Sequence, residues 1–322
     1  MSKTLNQIDR KLIYELVQNS RQSYTQLGKK VKLSKQAVKE RISNLENQNI
    51  ILQYFALIDI HKMGYTFYRI DLRFQNVTEE KEKEIINYIL KLQKVIWIAE
   101  IHGKWDLAVV FLTKDLVEVD DNIKKITWKY NDYIQNQTFS VATTHSRYSY
   151  GFIRENPLEE KEIFMGRELG NLELTNTEKN VLSILSKDAR TSITEISIKI
   201  KKSISAIKNA MQNLKEKRII LGYSTLINLQ KLGYQHYKLF INFKNPTQEK
   251  ERKLEAYFKI NPNIIFMTKS LGRSDIECEL VVKSIEEFKE NIRKLKREFN
   301  DLIKDIESYL IIKEHETNYY PI

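Results

Sequence analysis

Two tetrapeptides place the same chemical functions at matching points of the chain. Gly103, Lys104, Trp105 and Asp106 are followed, 272 − 103 = 169 residues later, by Gly272, Arg273, Ser274 and Asp275. The same offset carries Gly64 and Tyr65 onto Gly233 and Tyr234. An aspartate in a turn can accept from an ammonium group or from the amides of the turn itself. A glycine there relieves steric limits, lets another main chain approach and leaves amides free to hold a carboxylate. A bound amino acid needs that acceptor and those donors, so Gly103, Asp106, Gly272 and Asp275 are the candidate effector residues. A well-made hairpin with no guest is the competing reading. Trp105 against Ser274 and Lys104 against Arg273 make the two turns unlike.

A second constellation is basic and helical. Ser34 is placed to cap a helix over about 34–46, on which Val38, Ile42 and Leu45 share one apolar stripe. Lys35, Gln36, Lys39, Glu40 and Ser43 point away from it, with Arg41 on the flank. Such a face can reach a major groove, because Gln and Lys read purine edges while Lys and helix N-terminal amides hold phosphates. For Arg41, phosphate contact and an ion pair with a neighbouring helix are equally open. In the second half the outward set is Ser203, Ile204, Ser205, Lys208, Asn209 and Gln212, and Ala210 replaces Arg41. Lys199, Lys201 and Lys202 precede it, which favours phosphate attraction with altered base recognition.

The remaining raw material for catalysis is thin. His61, His102, His145, His236 and His315 do not align at the offset, and no metal-ligand, phosphate-loop or nucleophile-elbow spacing is present. His102, next to the first turn, is the one histidine close to a candidate site. The single Cys278 excludes an internal disulfide framework and a cysteine-cluster metal site. These readings leave no catalytic residue, metal or cofactor assigned, and no enzyme activity. With 42% hydrophobic residues the chain is globular, no apolar run reaches the roughly 20 residues a membrane span needs, and the first residues lack a signal-peptide core. A cytoplasmic address follows as the simplest expectation. The net charge of +11 favours a polyanionic partner, although lysines solvating helix faces would give the same sum.

Elements of two periods must position these groups. The offset of 169 aligns Leu5 with Leu174, Arg21 with Arg190, Ser34 with Ser203 and Leu45 with Leu214. This is a duplicated pair of domains, its period far beyond the roughly 20–50 residues of solenoids. Each copy opens with helical periodicity and capping signals, Ser23 with Gln26, Thr175 with Glu178 and Ser192 with Glu195, Asn6 with Asp9 being a weaker case. Two short helices joined by a few residues, the second basic, describe a helix-turn-helix. Each copy then turns β-rich, and after one connecting strand the order is β-α-β-β-α-β, that of a ferredoxin-like sandwich. The fold class is therefore α+β: a winged-helix-like three-helix head plus a ferredoxin-like sandwich, duplicated in tandem. The boundaries are head 1 over 1–53, module 1 over 54–153, a linker over 154–173 containing Pro157, head 2 over 174–222 and module 2 over 223–322. Tyr148, Tyr150 and Phe152 alternate as one strand face would, and with Tyr319 and Tyr320 they offer aromatic surface for a contact.

The run from "IDRKLIYEL" through "SRQSYTQLGKKVKLSKQAVKERISNLENQNII", then "YFALIDIHKMGY", then a module carrying Gly-x-x-Asp, resembles the leucine-responsive regulator/AsnC (Lrp/AsnC) family of transcription regulators. The resemblance covers nearly the whole chain, twice, where the usual member has one copy. It implies heads that bind double-stranded DNA and RAM-type modules that dimerise and sense amino acids. It also implies that the Gly-x-x-Asp turns lie where two modules meet. With two copies in one chain, repeat 1 can pair with repeat 2 as an intramolecular pseudo-dimer, and further homo-oligomerisation is common in the family. Relatives of the same architecture serve as subunits of a sirohaem decarboxylase, in which histidine and arginine side chains aim into the pocket in place of that turn. A fused decarboxylase and a ligand-binding protein with degenerate DNA contact are the alternatives to a regulator.

Overall fold

The computed structural model describes residues 5–154, 161–166, 168–315 and 320. Pro157 of the expected linker and Tyr319 of the aromatic terminus lie outside these residues.

In repeat 1, α1 (Gln7–Gln18), α2 (Tyr24–Val31) and α3 (Lys35–Asn47) form the head, and β1 (Ile51–Ile58) leaves it. The module is β2 (Thr66–Phe74), α4 (Glu79–Leu90), β3 (Val95–His102), β4 (Leu107–Thr113), α5 (Leu116–Lys129) and β5 (Ile134–Arg147). A short strand, β6 (Ile163–Gly166), precedes the second head of α6 (Asn176–Lys187), α7 (Ile193–Ile200) and α8 (Ile204–Glu216). Then come β7 (Ile220–Ile227), β8 (Gln235–Phe243), α9 (Gln248–Ile260), β9 (Ile264–Gly272), β10 (Ile276–Val282), α10 (Ile285–Glu298) and β11 (Ile303–Glu314). Both modules show the expected β-α-β-β-α-β order.

The helix starts follow the capping chemistry. Ser23 with Gln26, Thr175 with Glu178 and Ser192 with Glu195 each close both bonds of a capping box. At Asn6 the cap is one-sided, because the side chain accepts from the Asp9 amide while the Asp9 carboxylate goes to Arg41. Ser34 and Ser203 cap α3 and α8 by accepting from the amides of Ala37 and Ala206.

The strands knit the two repeats together. Each module contributes four antiparallel strands, and its edge strands find partners in the other repeat: β3 pairs with β11 and β5 with β9. With β2 also paired to β5, eight strands close into an antiparallel ring in the order β2-β4-β3-β11-β8-β10-β9-β5. Closure leaves no bare edge on either sandwich. Helices cover the outside of the ring over two cores, one built on Ile70, Ile85, Ile98 and Phe111 and the other on Leu239, Leu254, Phe258 and Leu280. Above its mouth, β1 and β7 form a separate two-stranded antiparallel ribbon, which straddles both expected head–module boundaries.

The heads are exchanged over this ribbon. The core of head 1 merges with Ile227, Tyr234, Ile265 and Val281 of repeat 2. The core of head 2 merges with Ile58, Ile96, Val110 and Leu112 of repeat 1. Burying each fully apolar side chain in that way contributes about 1.5–3 kcal/mol, so each head depends on the other repeat.

Two expectations need correction. The 154–173 segment is more than a linker, since Ile163–Gly166 adds β6 to β5 and pairs Ser146 with Phe164. The reason is that β5 runs past the end of β2 and offers an open side there. Tyr148, Tyr150 and Phe152 do not share a strand face. β5 stops at Arg147, Tyr150 adopts φ 58° and Gly151–Ile153 is a 3-10 turn. Tyr148 packs into the module 2 core, while Tyr150 and Phe152 pack against head 1.

Candidate functional site

The outward faces of α3 and α8 are open. Ser34, Lys35, Gln36, Lys39, Glu40 and Ser43 are exposed, as are Ser203, Ser205, Lys208, Asn209 and Gln212. Ile204, at the position of Lys35, is 46% exposed. Val38, Ile42 and Leu45 are buried beneath α3, and Ile207, Ala210, Met211 and Leu214 beneath α8. Of the two readings of Arg41 the ion pair is realised: its guanidinium sits 2.9 Å from Asp9 on α1 and is half-buried. In head 2 the counterpart of Asp9 is Glu178, which closes its own cap and accepts from Lys217 at 3.0 Å. That second arrangement needs nothing from position 210, which is a buried alanine.

The two heads grip each other through an aligned pair that the sequence offset marks. Arg21 donates to the carbonyls of Ala189 and Thr191, in the turn between α6 and α7. Its counterpart Arg190 donates to the carbonyls of Ser20 and Gln22, in the turn between α1 and α2, at 2.6 and 3.4 Å. Each guanidinium also lies over aromatic rings, Arg21 over Tyr223 and Arg190 over Tyr24 and Tyr54. Charge-assisted bonds to carbonyls are stronger than neutral ones, and their reciprocity holds the heads in one relation.

The glycine–aspartate turns lie on the seam between modules. Asp106 accepts from the Phe74 amide and Asp275 from the Phe243 amide, each at 2.7 Å, so both carboxylates serve the neighbouring strand. A Cβ at Gly103 would stand 3.0 Å from the Ser308 carbonyl of β11, and one at Gly272 would stand 2.5 Å from the Phe139 carbonyl of β5. Both have a positive φ, +156° at Gly103 and +111° at Gly272. The glycines therefore admit the main chain of the other repeat. The seam is asymmetric where the turns differ. Trp105 is buried and donates to Glu307, while Arg273 is bound to both Asp71 and Glu307 and stacks 3.5 Å from the Phe240 ring centroid.

The ring encloses a second group of polar residues. Glu277, fully enclosed, sits between Arg69 and Lys238; Lys238 also reaches Glu279 at 3.2 Å, and Glu279 pairs with His236 at 3.1 Å. Burial alone would raise the Glu277 carboxyl, but Arg69 and Lys238 hold it down at about 2. His61 and His145 stack with ring centroids 6.0 Å apart. Burial lowers His61 to about 4 and, with His61 beside it, lowers His145 to about 3, so both are neutral near pH 7. His102, by contrast, is exposed at the end of β3. Above the charged groups is a cavity of about 210 Å³, whose walls come from both modules and whose roof is the β1–β7 ribbon.

None of these enclosed charges was singled out by sequence reasoning. The signal was strand alternation: Arg69 with Asp71, His236 with Lys238 and Glu277 with Glu279 each fall two apart on one face. On a lone sandwich that face would meet water. Here the other repeat covers it.

An AsnC-type helix-turn-helix domain model matches residues 5–46, and a winged helix-turn-helix DNA-binding model matches residues 174–220. The chain is 33% identical over 141 residues to the HTH-type transcriptional regulator LrpC of Bacillus subtilis, covering 44% of this chain and 95% of that protein. Against the HTH-type transcriptional regulator LrpA of Pyrococcus horikoshii it is 51% identical over 57 residues, 18% of this chain and 40% of the other. Among solved structures, the siroheme decarboxylase NirDL superposes with a TM-score of 0.62, covering 97% of this chain and 94% of its own at 13% identity. That likeness shows a shared tandem fold. With LrpC matched over nearly its whole length, and helix-turn-helix models on both heads, the chain belongs to the Lrp/AsnC family of HTH-type transcriptional regulators.

Proposed function

We propose that this protein is a cytoplasmic, sequence-specific DNA-binding regulator without catalytic activity, acting as an intramolecular pseudo-dimer. The observation that carries the reading is the pair of exposed, unlike faces on α3 and α8, borne by heads that are clasped through Arg21 and Arg190. Lys35, Gln36 and Lys39 on α3 supply base-reading and phosphate contacts, while Lys208, Asn209 and Gln212 on α8 supply a weaker reader beside Ile204. Two unlike readers select an asymmetric operator.

Pairing within the chain is supported by the chemistry of the seam. Where repeat 2 has Glu277 and Phe240, repeat 1 has Ala108 and Asp71, at the offset of 169. Two copies of module 1 would bring Arg69 together with alanine in place of Glu277, leaving a buried charge unpaired, which is strongly unfavourable. Higher homo-oligomers belong to the proposal through the exposed apolar residues of α5, Trp128 at 73% and Val117 at 63%.

An amino-acid effector at Gly103 and Asp106, or at Gly272 and Asp275, also belongs to it. Such a ligand competes with the amides of Phe74 and Phe243 for the carboxylates and so acts on the seam. The test is selection of bound DNA from a random pool, with and without an amino-acid mixture. A specific, asymmetric site whose affinity falls steeply with salt supports the reading. No enrichment, or binding unchanged by alanine at Lys35, Gln36 and Lys39 together, overturns it.

One observation favours a second reading, a fused sirohaem-decarboxylase-like enzyme: Arg69 and His145 both line the cavity. Against it, Arg69 and Lys238 are already matched by Glu277 and Glu279, which leaves no surplus positive charge on the cavity floor for a polycarboxylate. Both Gly-x-x-Asp turns are also intact. A Soret band on protein purified with added tetrapyrrole would decide for the enzyme.

A further inference from the structure

We propose that the cavity under the β1–β7 ribbon binds an uncharged, largely apolar small molecule bearing one hydrogen-bond acceptor, and that its occupancy is felt by both DNA-binding heads.

The first argument is shape. The volume of about 210 Å³ suits a molecule of two fused rings or less, at the small end of the roughly 300–1,000 Å³ typical of ligand sites. Above the charged floor, apolar lining comes from the ribbon (Leu57, Ile227), from module 1 (Trp97, Val110) and from module 2 (Ile265, Phe266).

The second argument is charge. On the floor, Glu277 is bonded by Arg69 and Lys238, and Glu279 by Lys238 and His236, so each carboxylate is already matched. Glu314 stands at the exposed rim and accepts from the Trp97 indole at 2.7 Å. A charged guest would bury a charge with no free counterpart, at a penalty of several kcal/mol per ion. A neutral guest meets no such penalty.

The third argument is an unmet hydrogen bond. Among the described residues, Nε of Arg69 is a buried donor with no acceptor, and Nε2 of His145 is buried and unpartnered while Nδ1 lies 3.0 Å from the Thr268 hydroxyl. Leaving a buried donor unsatisfied costs about 1–3 kcal/mol, and Arg69 and His145 both line the cavity, so a guest whose acceptor comes within reach of either nitrogen recovers part of that cost.

The roof connects the site to the heads. Only three residues separate the end of α3 at Asn47 from β1 at Ile51, and three separate α8 at Glu216 from β7 at Ile220. A guest touching Leu57 and Ile227 therefore presses on the strands that carry both recognition helices. This last step rests on the DNA-binding reading above; the binding site itself does not.

The probe is 6-propionyl-2-dimethylaminonaphthalene, which is neutral, apolar and carries one carbonyl acceptor. Titrated into the full chain, it is expected to bind saturably at one site with a blue-shifted emission. Ala142→Trp, which fills the cavity from β5, should weaken it by about tenfold or more. Met165→Trp fills it from β6 and replaces the first variant if that one fails to melt cooperatively. Arg69→Lys keeps the charge facing Glu277 but removes the Nε donor, and should weaken the probe by roughly fivefold. An anionic anilinonaphthalene sulfonate should not compete. Absence of saturable binding, unchanged affinity in a cooperatively folded filled variant, or equal binding of the sulfonate would overturn the site. Probe binding that leaves the affinity for a selected operator unchanged would overturn the coupling alone. Failure to select any operator, with the probe still bound, would discard the DNA reading and keep the site.

Discussion

Repeat 1 and repeat 2 share a fold and an offset, yet they divide the polar work unequally. Head 1 presents Lys35 and Gln36 where head 2 presents Ile204 and Ser205, and it ties α1 to α3 through Asp9 and Arg41. Head 2 secures the same junction with a closed capping box and Lys217. At the seam, repeat 2 supplies Glu277, Glu279, Lys238 and Arg273, while repeat 1 supplies Arg69, Asp71 and the bulk of Trp105. The difference teaches that the copies have become complementary. Repeat 1 holds two buried charges, Arg69 and Asp71, whose bonded partners lie in repeat 2, while repeat 2 also pairs its charges within itself.

The largest effect expected is at that complement. Glu277→Ala leaves Arg69 without its carboxylate, and removing one partner of a buried pair destabilises by about 3–5 kcal/mol. The aligned residue is already alanine, Ala108, so the comparison predicts that no equivalent loss can be made in repeat 1. Chemical denaturation of the variant checks this, and a change under 1 kcal/mol would break the complementarity argument.

The glycines come next. Both alanines must hold a positive φ, but Gly272→Ala must also move the Phe139 carbonyl, 2.5 Å from the new Cβ, while Gly103→Ala meets its nearest atom half an ångström further away. Backbone strain of this kind costs on the order of 1–3 kcal/mol, and the larger loss should fall on Gly272. Melting curves of the two variants that rank the other way would show that the turns are not both set by approach of the opposite repeat.

On the proposed DNA-binding reading, the exposed faces of α3 and α8 separate the heads in function. Alanine at Lys35, Gln36 and Lys39 should then remove the proposed base contacts, about 1–3 kcal/mol for each good pair, and with them specificity at one half-site. Alanine at Ser205, Lys208 and Asn209 should weaken binding less, and mainly in proportion to the salt slope. Equal loss of specificity from both sets, measured by competition with mutated half-sites, would make the two readers equivalent.

Much of this comparison was legible beforehand, and its limits are physical. Capping pairs such as Ser192 with Glu195 and stripes such as Val38, Ile42 and Leu45 are local signals, satisfied within a few residues, so the heads and the module order could be read directly. Arg41 could not be assigned, because its partner Asp9 lies 32 positions away. The buried charges of β2, β8 and β10 look solvent-facing on any single sandwich; only closure of the ring hides them. The exchange of heads over the ribbon was equally invisible, since Ile227 and Ile58 are apolar whichever core receives them. One trace was available in the offset itself. Positions where one copy is small or apolar and the other charged, Ala108 with Glu277 and Val110 with Glu279, mark faces that meet.

The histidine pair belongs to repeat 1 only, with Gln230 and Glu314 at the aligned positions of repeat 2. His61 at about 4 and His145 at about 3 are held neutral by burial, below their unfolded value of 6.5. Between pH 6.5 and about 4 the unfolded chain takes up protons that the folded chain refuses, so stability falls with acidification. The loss approaches 1.4 kcal/mol per pH unit for each histidine. Glu277, depressed from 4.5 to about 2, contributes its loss only below pH 4.5. Denaturation midpoints measured from pH 6.5 to 5 therefore report the histidines, and His61→Gln, the repeat 2 residue, should flatten the slope. A slope unchanged by both His61→Gln and His145→Gln would place the acid sensitivity elsewhere.

The smallest effect expected is where the copies are alike. Arg21 and Arg190 each bridge to the turn of the opposite head by bonds to its carbonyls. Either substitution to alanine should cost about 1–2 kcal/mol of head-to-head coupling, and the two should match within error. The double variant, with both bridges gone, should leave each head's fold intact, because the cores built on Leu12 and on Val181 do not use the arginines. What it should lose is the fixed relation between α3 and α8, seen as tolerance of altered half-site spacing in the selected operator. A double variant with wild-type spacing preference would assign that rigidity to the β1–β7 ribbon, whose strand bonds run from Ile51 with Ile227 to Ile58 with Ile220.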